Sequence, residues 1–318
     1  MKFNFDFYGS AKRFFTIAIV ICVLGFACNF IPFFGPTMDI QFRGGAIATY
    51  SYTGDIDEND IEKAVEDIDG MDNNVSIQLK KDLANNLQSF DVTFDGDRDI
   101  SPEEEELIEK ALTEAFAESN IKLLQLISVS PQMGRDFLIK CLIAILLASA
   151  FMLVYVGIRF RKIGGVLAGA TSLLALLHDT FIAYTVFVIC DFTINDNFIA
   201  VVLTILGYGL NDTVVIFDRV RENRRILGPK TDMKTLLNTS VNQSLSRTTL
   251  VSLATISAIG IVCIVALVAN ISSILTFAFP MMIALLASVF STNCITLPLW
   301  ALLQEKRDAK LAAAKSKR

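Results

Sequence analysis

The chain has 318 residues and a net charge of −5, with 53% hydrophobic and 19% charged residues and a mean hydropathy of +0.52. It is too apolar for an ordinary soluble protein and too charged to be buried entirely in a membrane. The charges are segregated, since residues 35–135 hold 22 of the 33 acidic residues and only 8 of the 28 basic ones. This pattern predicts an acidic domain inserted into a membrane protein with basic flanks.

Six segments contain the roughly 20 apolar residues that a helix needs to cross a bilayer. They cover residues 14–34, 137–158, 164–190, 198–217, 248–268 and 272–303. The first is too long for the apolar core of a signal peptide and has a poor cleavage site, so we expect an uncleaved anchor. All six cysteines lie within these segments without a CxxC pair, which indicates helix packing rather than a disulfide framework.

These segments divide the chain into residues 1–36 with the first span, a domain at 37–135, five further spans at 136–304 and a basic tail at 305–318. Lys and Arg cluster before the first span, after the second, after the fourth and after the sixth. Because cytoplasmic loops carry this excess, we expect both termini in the cytoplasm and residues 37–135 outside the bacterial cytoplasmic membrane. The run RVRENRR is typical of such a loop rather than of a nucleic-acid contact.

The domain at 37–135 has the predicted element order β-α-β-β-α-β, which is that of a ferredoxin-like α+β fold. The strands are predicted at 39–53, 74–79, 87–94 and 121–129, and the helices at 57–69 and from Ser101 onward. Ser101, Pro102 and Glu104 are typical of a capped helix start. The domain contains no His or Cys, so we expect no enzyme there. We also expect no metal, since EEEE at 103–106 fits the acidic first turn of a helix better than a calcium site.

Charged residues inside the predicted spans form the second feature of the sequence. Asp179 follows His178 in the third span, Asp212 lies in the fourth, and Arg247 begins the fifth. A charge at the bilayer centre costs about 2.5–3.5 kcal/mol on insertion scales, so such residues face the bundle or water and usually serve function. Small residues share the helix face of Asp179 and predict a packing seam there. His178 points about 100° away, where we expect a different partner.

The neighbours of Asp212 add a polar environment to this carboxylate. Gly209 and Tyr208 precede it by three and four residues and share its helix face. We therefore expect the Tyr208 hydroxyl to hydrogen-bond towards Asp212, with the amide of Asn211 beside it. In the next span, Ser252 and Thr255 extend a polar stripe beneath Arg247.

A carboxyl in low-dielectric surroundings favours its protonated form, and a nearby arginine favours the charged form. Movement of Arg247 towards and away from Asp212 would therefore release and rebind a proton. One charge crossing 100 mV supplies about 2.3 kcal/mol. Two plainer interpretations stay open: a structural ion pair between the two residues, or an Arg247 that only extends to the interface. No phosphate-binding loop is present in the sequence, so we expect a proton gradient as the energy source and no cofactor.

The segment GYGLNDTVVIFDRVREN at 207–223 resembles the signature of the SecF proteins in the SecD/SecF family of protein-export membrane proteins. QSLSRT at 243–248, HD at 178–179 and DIQFRGG at 39–45 resemble further motifs of this family. The resemblance covers nearly the whole chain. One departure is VSPQMG at 129–134, where Ser130 stands in place of a glycine.

The resemblance implies an α-helical half-transporter of the resistance-nodulation-division superfamily in the bacterial inner membrane. It implies pairing with SecD and assistance to the SecYEG channel as unfolded preprotein is exported, driven by the proton motive force. The implied proton-pathway residues are Asp212, Arg247 and Asp179, with Asn211, Tyr208, Gly209 and His178 in support. Two alternatives remain: a proton-driven exporter of small molecules or lipids from the same superfamily, or a non-transporting subunit that holds SecD in place.

Overall fold

Helices dominate the fold, and six helical segments are long and apolar enough to cross a membrane. The structure is a computed structural model that describes residues 5–31, 35, 37–54, 56–66, 75–82, 87–94, 102–117, 119–228, 231–269 and 271–316. The elements in chain order are α1 (Ala11–Cys28), α2 (Ile40–Arg43), β1 (Gly45–Tyr52), α3 (Glu58–Glu66), β2 (Val75–Asp82), β3 (Leu87–Phe94), α4 (Pro102–Ala115), β4 (Lys122–Val129), α5 (Pro131–Arg159), α6 (Gly165–Ile189), α7 (Asp196–Leu227), α8 (Met233–Val268), α9 (Ser272–Ser291) and α10 (Leu297–Ser316). A 3₁₀ turn at Arg161–Ile163 precedes α6, and a π-helix at Thr292–Thr296 joins α9 to α10.

The predicted spans are confirmed as helices, and the sheet domain is inserted between α1 and α5 as expected. Its four strands form one sheet in the order β2-β3-β1-β4, with every neighbouring pair antiparallel. Ile61 and Val65 of α3 and Ile108 and Leu112 of α4 are at most 1% exposed and share one core with the sheet. The ferredoxin-like arrangement is therefore present.

The first strand is shorter than predicted, because its first residues form helix α2. The side chain of Asp39 accepts a hydrogen bond from the backbone N–H of Gln41 at 3.0 Å and so caps this helix. Gly44 then ends it at φ +87°, and β1 begins at Gly45. The predicted cap at Ser101 lies outside the described residues.

The Gly-Gly motif fixes the sheet domain against the start of α5. A Cβ atom on Gly44 would lie 2.6 Å from Cα of Pro131, and one on Gly134 would lie 3.0 Å from the backbone nitrogen of Gly44. Beside this contact, the ring of Phe42 stacks on that of Phe137 with centroids 5.7 Å apart. The backbones of α2 and α5 therefore approach each other more closely than any residue with a Cβ would allow.

Ser130, the departure from the family motif, has a local role at the same junction. It is the N-cap of α5, and its hydroxyl accepts a hydrogen bond from the backbone N–H of Met133 at 3.5 Å. Pro131 occupies the first turn of the helix, where its missing N–H costs nothing. Serine is a preferred N-cap residue, so the exchange leaves the turn intact.

Helix α6 is the centre of the bundle and packs against α1, α5, α7 and α9. The first part of its small-residue face, at Gly165 and Gly169, packs on α5, in agreement with the packing seam that the sequence predicts. Gly165 has no room for a Cβ atom because the carbonyl of Gly157 occupies that space, and a Cβ atom on Gly169 would lie 3.1 Å from the carbonyl oxygen of Leu153. Close approach of backbones through small residues is a common way to pack membrane helices.

Hydrogen bonds tie connecting segments together at the two ends of the bundle. Near the sheet domain, Ile194 in the α6–α7 loop exchanges backbone bonds with Thr37 and Asp39 at 2.8 and 3.1 Å. At the other end, Asp6 binds Lys234 and Asn238 of α8, both at 2.8 Å.

These contacts at the N-terminal segment also shift two ionisation equilibria. Lys234, the Gly9 N–H and the Asn238 amide together lower the pKa of Asp6 to about 2. The hydroxyl of Tyr8 donates to the carboxylate of Glu305 in α10, and this bond raises the pKa of Tyr8 to about 12. The N-terminal segment, the start of α8 and α10 therefore lie together at the end of the bundle away from the sheet domain.

We predict that Gly44→Ala destabilises the protein more than Gly54→Ala. Both glycines have positive φ, +87° and +102°, so each substitution strains the backbone by about 1–3 kcal/mol. Only Gly44 also abuts Pro131, since no atom lies within 4 Å of a Cβ on Gly54. Thermal unfolding of the purified full chain in detergent measures the difference. Equal decreases in Tm would contradict the close packing at this junction.

Candidate functional site

The carboxylate of Asp212 lies near the middle of α7 and is 3% exposed. The hydroxyl of Ser252 on α8 donates to its Oδ2 at 3.3 Å. Within the described part of the chain this is its one hydrogen-bond partner, and no cation lies within ion-pair distance. A buried carboxyl with so little compensation is costly to ionise. The site is therefore suited to taking up a proton.

A ladder of buried hydroxyls runs along α8 towards this carboxylate. Its members are spaced by four residues and are at most 6% exposed: Ser240, Ser244, Thr248 and Ser252. The hydroxyls of Ser240, Ser244 and Thr248 donate to the carbonyls four residues earlier at 2.7 to 3.3 Å, and the Ser252 hydroxyl lies 2.9 Å from the Thr248 carbonyl. At the end of the ladder that is furthest from Asp212, the side-chain amide of Asn223 donates to the hydroxyl of Ser240 at 3.0 Å. The hydroxyl ladder thus lines the α7–α8 interface from Asn223 to Asp212.

The sequence indicated a polar stripe at Ser252, four residues after Thr248, but not its continuation to Ser240 and Ser244. The signal for these two residues was present in the same four-residue spacing, which places all four hydroxyls on one helix face. Thr255 does not belong to the ladder, because it follows Ser252 by three residues rather than four and is only half-buried.

Arg247 is not brought to Asp212 in this conformation. Its side chain is exposed and lines a cleft of about 1260 Å³ between the end of α5, the 3₁₀ turn that follows it, α7 and α8. Arg247 precedes Ser252 by five residues, which is about 7.5 Å along a helix. A standing ion pair between Arg247 and Asp212 is therefore absent. Ser244 lines the same cleft, so the hydroxyl ladder connects the cleft to the buried carboxylate.

Asp179 forms a second buried carboxylate site, on α6, and is 1% exposed. Ser291 at the end of α9 donates to its Oδ2 at 2.7 Å. We expected a different partner for His178, which was wrong: its Nδ1 lies 3.1 Å from Oδ1 of Asp179. The imidazole ring of His178 turns back to the carboxylate of Asp179, because without this contact a charge on that carboxylate would have less compensation inside the bundle. The inward placement predicted for Asp179 is confirmed.

Gly209 allows α7 to approach both neighbouring helices beside Asp212. A Cβ atom on Gly209 would lie 2.5 Å from Cδ2 of Leu176 on α6 and 3.5 Å from the hydroxyl of Ser288 on α9. Ser291, whose hydroxyl donates to Asp179, follows Ser288 on the next turn of α9, and its hydroxyl lies 3.2 Å from the Ser288 carbonyl. The close contact at Gly209 therefore joins the surroundings of the two carboxylates.

Tyr208 does not support Asp212 in the way we expected. Its hydroxyl is buried and has no hydrogen-bond partner among the residues that the structure describes. Side chains on a helix lean towards its N-terminus, so Tyr208 leans away from a carboxylate one turn further on. Asn211 is exposed on the outer surface of α7, on the side of Gly207 and Thr204.

The site as a whole offers proton binding and no other evident chemistry. In the described ranges, no cluster of three or more His, Cys, Asp or Glu side chains could hold a metal ion. Two carboxylates are each held by a serine hydroxyl, and the basic residue predicted to act on one of them lies in an open cleft. This arrangement places two buried carboxyl groups beside serine hydroxyls inside the bundle.

Comparisons with known proteins agree with the sequence motifs. Residues 108–306 match the family described as protein export membrane protein SecD/SecF, C-terminal. The chain is 30% identical over 315 residues to the protein translocase subunit SecF of Endomicrobium trichonymphae, covering 96% of this chain and 94% of that protein. It is also 30% identical over 299 residues to the protein translocase subunit SecDF of Bacillus subtilis, covering 93% of this chain.

A solved structure shows the same fold. The crystal structure of SecDF from Thermus thermophilus, described as a translocon-associated membrane protein, matches with a TM-score of 0.74 and 25% identity over 93% of this chain. The chain spans only 38% of the length of each of these two SecDF proteins.

Proposed function

Because this chain belongs to the SecF family of the SecD/SecF protein-export membrane proteins, we propose that it couples the proton motive force to protein export through its buried carboxylates. The chain is a multi-pass membrane protein and a SecF-like translocase subunit. Its work is mechanical rather than enzymatic, and the gradient takes the place of a bound cofactor.

The observation that carries this proposal is the position of Asp212 at one end of a hydroxyl ladder whose Ser244 lines the cleft that holds Arg247. With Arg247 in the cleft, Asp212 has only Ser252 to compensate a negative charge, so a proton is favoured there. Movement of Arg247 inward would favour the charged form and expel the proton. The hydroxyl ladder provides the route between Asp212 and the cleft. Asp179 serves as a second proton site on the other side of Gly209.

Helix α5 connects this cycle to the sheet domain. Its first turn is locked to the sheet domain through Gly44, and its other end reaches the cleft at Arg159. Along its length it packs against α6 and α7, which carry the two carboxylates. A shift of α6 or α7 on protonation therefore moves α5, and α5 moves the sheet domain against the exported polypeptide.

One face of α7 marks where a SecD-type partner binds. Ala200, Thr204, Gly207 and Asn211 are exposed and recur at helical spacing. An amide facing lipid is costly, whereas small residues let another helix approach closely. The chain matches 38% of the length of the SecDF proteins, so more than half of each lies outside the match, which supports a second half supplied here by SecD. The completed pair acts on the SecYEG channel and on the unfolded preprotein that leaves it.

The orientation follows from the two ends of the bundle. The acidic sheet domain and the α6–α7 loop lie at one end, and the basic cleft, the N-terminal segment and α10 lie at the other. Basic ends face the cytoplasm. Both termini are therefore cytoplasmic, and the sheet domain projects from the outer surface of the bacterial inner membrane.

We predict that Asp212→Asn leaves the protein inserted and bound to its partner but abolishes its contribution to export of a secreted reporter. The change is nearly isosteric and removes the titratable site. Arg247→Met should give a similar defect, and the double variant should be no worse than either single one, since both act in one cycle. Asp191→Asn is the control, because Asp191 is exposed and has φ +53°, which asparagine tolerates.

Export at the wild-type rate by Asp212→Asn, under a full proton gradient, would contradict the proton role. The chain would then act only as an assembly subunit that holds SecD in place. The SecF membership of the chain would be untouched by that result.

For the partner surface, we predict that Gly207→Leu reduces copurification with SecD. The side chain would block the approach of a partner helix on the exposed face of α7. Gly157→Leu is the matched control, since Gly157 is also helical and no atom lies within 4 Å of a Cβ at either glycine. Quantitative pull-down from membranes measures both. Equal recovery of SecD by the two variants would place the interface elsewhere.

For the orientation, we predict that a cysteine at Glu109 reacts with a membrane-impermeant maleimide in intact spheroplasts, whereas one at Arg307 does not. Both side chains are exposed, on α4 of the sheet domain and on α10. The parent chain, with its six native cysteines, gives the background. Labelling at Arg307 but not at Glu109 would invert the topology.

A further inference from the structure

The cleft that holds Arg247 carries an unusual excess of positive charge. Eight of its lining side chains are basic and two are acidic. Positive charge in cytoplasmic loops is general, but a loop only needs its charges on the correct side of the membrane. Here they converge from three helices and a connecting turn onto one concave space of about 1260 Å³.

The two acids in the cleft are already paired. Asp218 accepts from Arg159 at 3.1 Å and from Arg221 at 2.8 Å. Glu222 accepts from Arg219 at 2.6 Å. Both acids that line the cleft are therefore already engaged by Arg159, Arg219 and Arg221.

Four of these cations have no acidic partner among the described residues: Arg161, Lys162, Arg225 and Arg247. Like charges gathered in one cleft repel each other, and an anion between them relieves the repulsion. Arginine forks match the geometry of phosphate oxygens particularly well. The chemistry of the cleft thus fits a phosphate group.

A stripe of exposed apolar side chains leads from this cleft along the lipid-facing side of α5. Ile158 lines the cleft and is 73% exposed. Val154, Phe151 and Leu147 follow it at intervals of four, three and four residues and are 56 to 69% exposed, so they form one continuous stripe. A ligand with a phosphate group at one end and hydrocarbon at the other would contact both surfaces.

We propose that this basic cleft binds the phosphate headgroup of an anionic phospholipid, with an acyl chain lying on the α5 stripe. The inference goes beyond the proposed export function and does not depend on it. Arg161, Lys162 and Arg225 hold the phosphate, and Arg247 reaches it from α8. A phosphate group bound in the cleft therefore holds the side chain of Arg247 there, away from Asp212.

The test is lipid binding to the purified, delipidated full chain, followed by native mass spectrometry. Wild type should bind one phosphatidylglycerol in clear preference to phosphatidylcholine. Arg161→Gln with Arg225→Gln should weaken phosphatidylglycerol binding by about fivefold per charge removed, or about 25-fold together. Arg307→Gln with Lys310→Gln removes the same charge from exposed positions of α10 outside the cleft and should leave binding unchanged.

Three outcomes would overturn the proposal. Phosphatidylcholine could bind as tightly as phosphatidylglycerol, or the α10 substitutions could weaken binding as much as those in the cleft. Inorganic phosphate could also displace the lipid at equal concentration, which would show a free-anion site with no use for the α5 stripe. If the double cleft variant unfolds, the single Lys162→Gln variant decides, with a fivefold loss expected and no loss counting against the site.

Discussion

The fold depends on the burial of two carboxylates, those of Asp179 and Asp212, inside the helix bundle, where a charge is costly. Each is held by one serine hydroxyl from a neighbouring helix, Ser252 for Asp212 and Ser291 for Asp179. These contacts specify which face of α7 meets α8 and which face of α6 meets α9. The small residues at Gly169 and Gly209 follow from the same need, because only a close approach of the helices keeps the carboxylates away from lipid.

Length and hydropathy were enough to place the six spans and the inserted sheet domain, because both signals extend over many residues. Strand order also followed from the alternation of elements. The short helix α2 could not be predicted, since it depends on one cap at Asp39 and on the φ of Gly44. A cap or a positive φ depends on the conformation of a single residue, and the surrounding structure determines which conformation that residue adopts.

The site was predictable in its composition and less so in its contacts. Asp179 and Asp212 are buried as the small-residue faces indicated, whereas His178 and Tyr208 have other surroundings than spacing suggested. Spacing gives the face of a helix but not the direction in which a long side chain leans. The sequence left two positions open for Arg247, beside Asp212 or extended to the interface, because a flexible side chain near water has several positions of similar energy.

The π-helix at Thr292–Thr296 gives the last span a place where its register can change. All five of its residues are buried, and it directly follows Ser291. Relative to an α-helix it holds one surplus residue, and absorbing that residue would turn everything beyond it by about 100°. Trp300, packed edge-on against Phe217, and Glu305, bonded to Tyr8, would turn with it. A change of register at this π-helix, next to the Ser291–Asp179 hydrogen bond, would therefore alter the contacts of α10 with α7 and with the N-terminal segment.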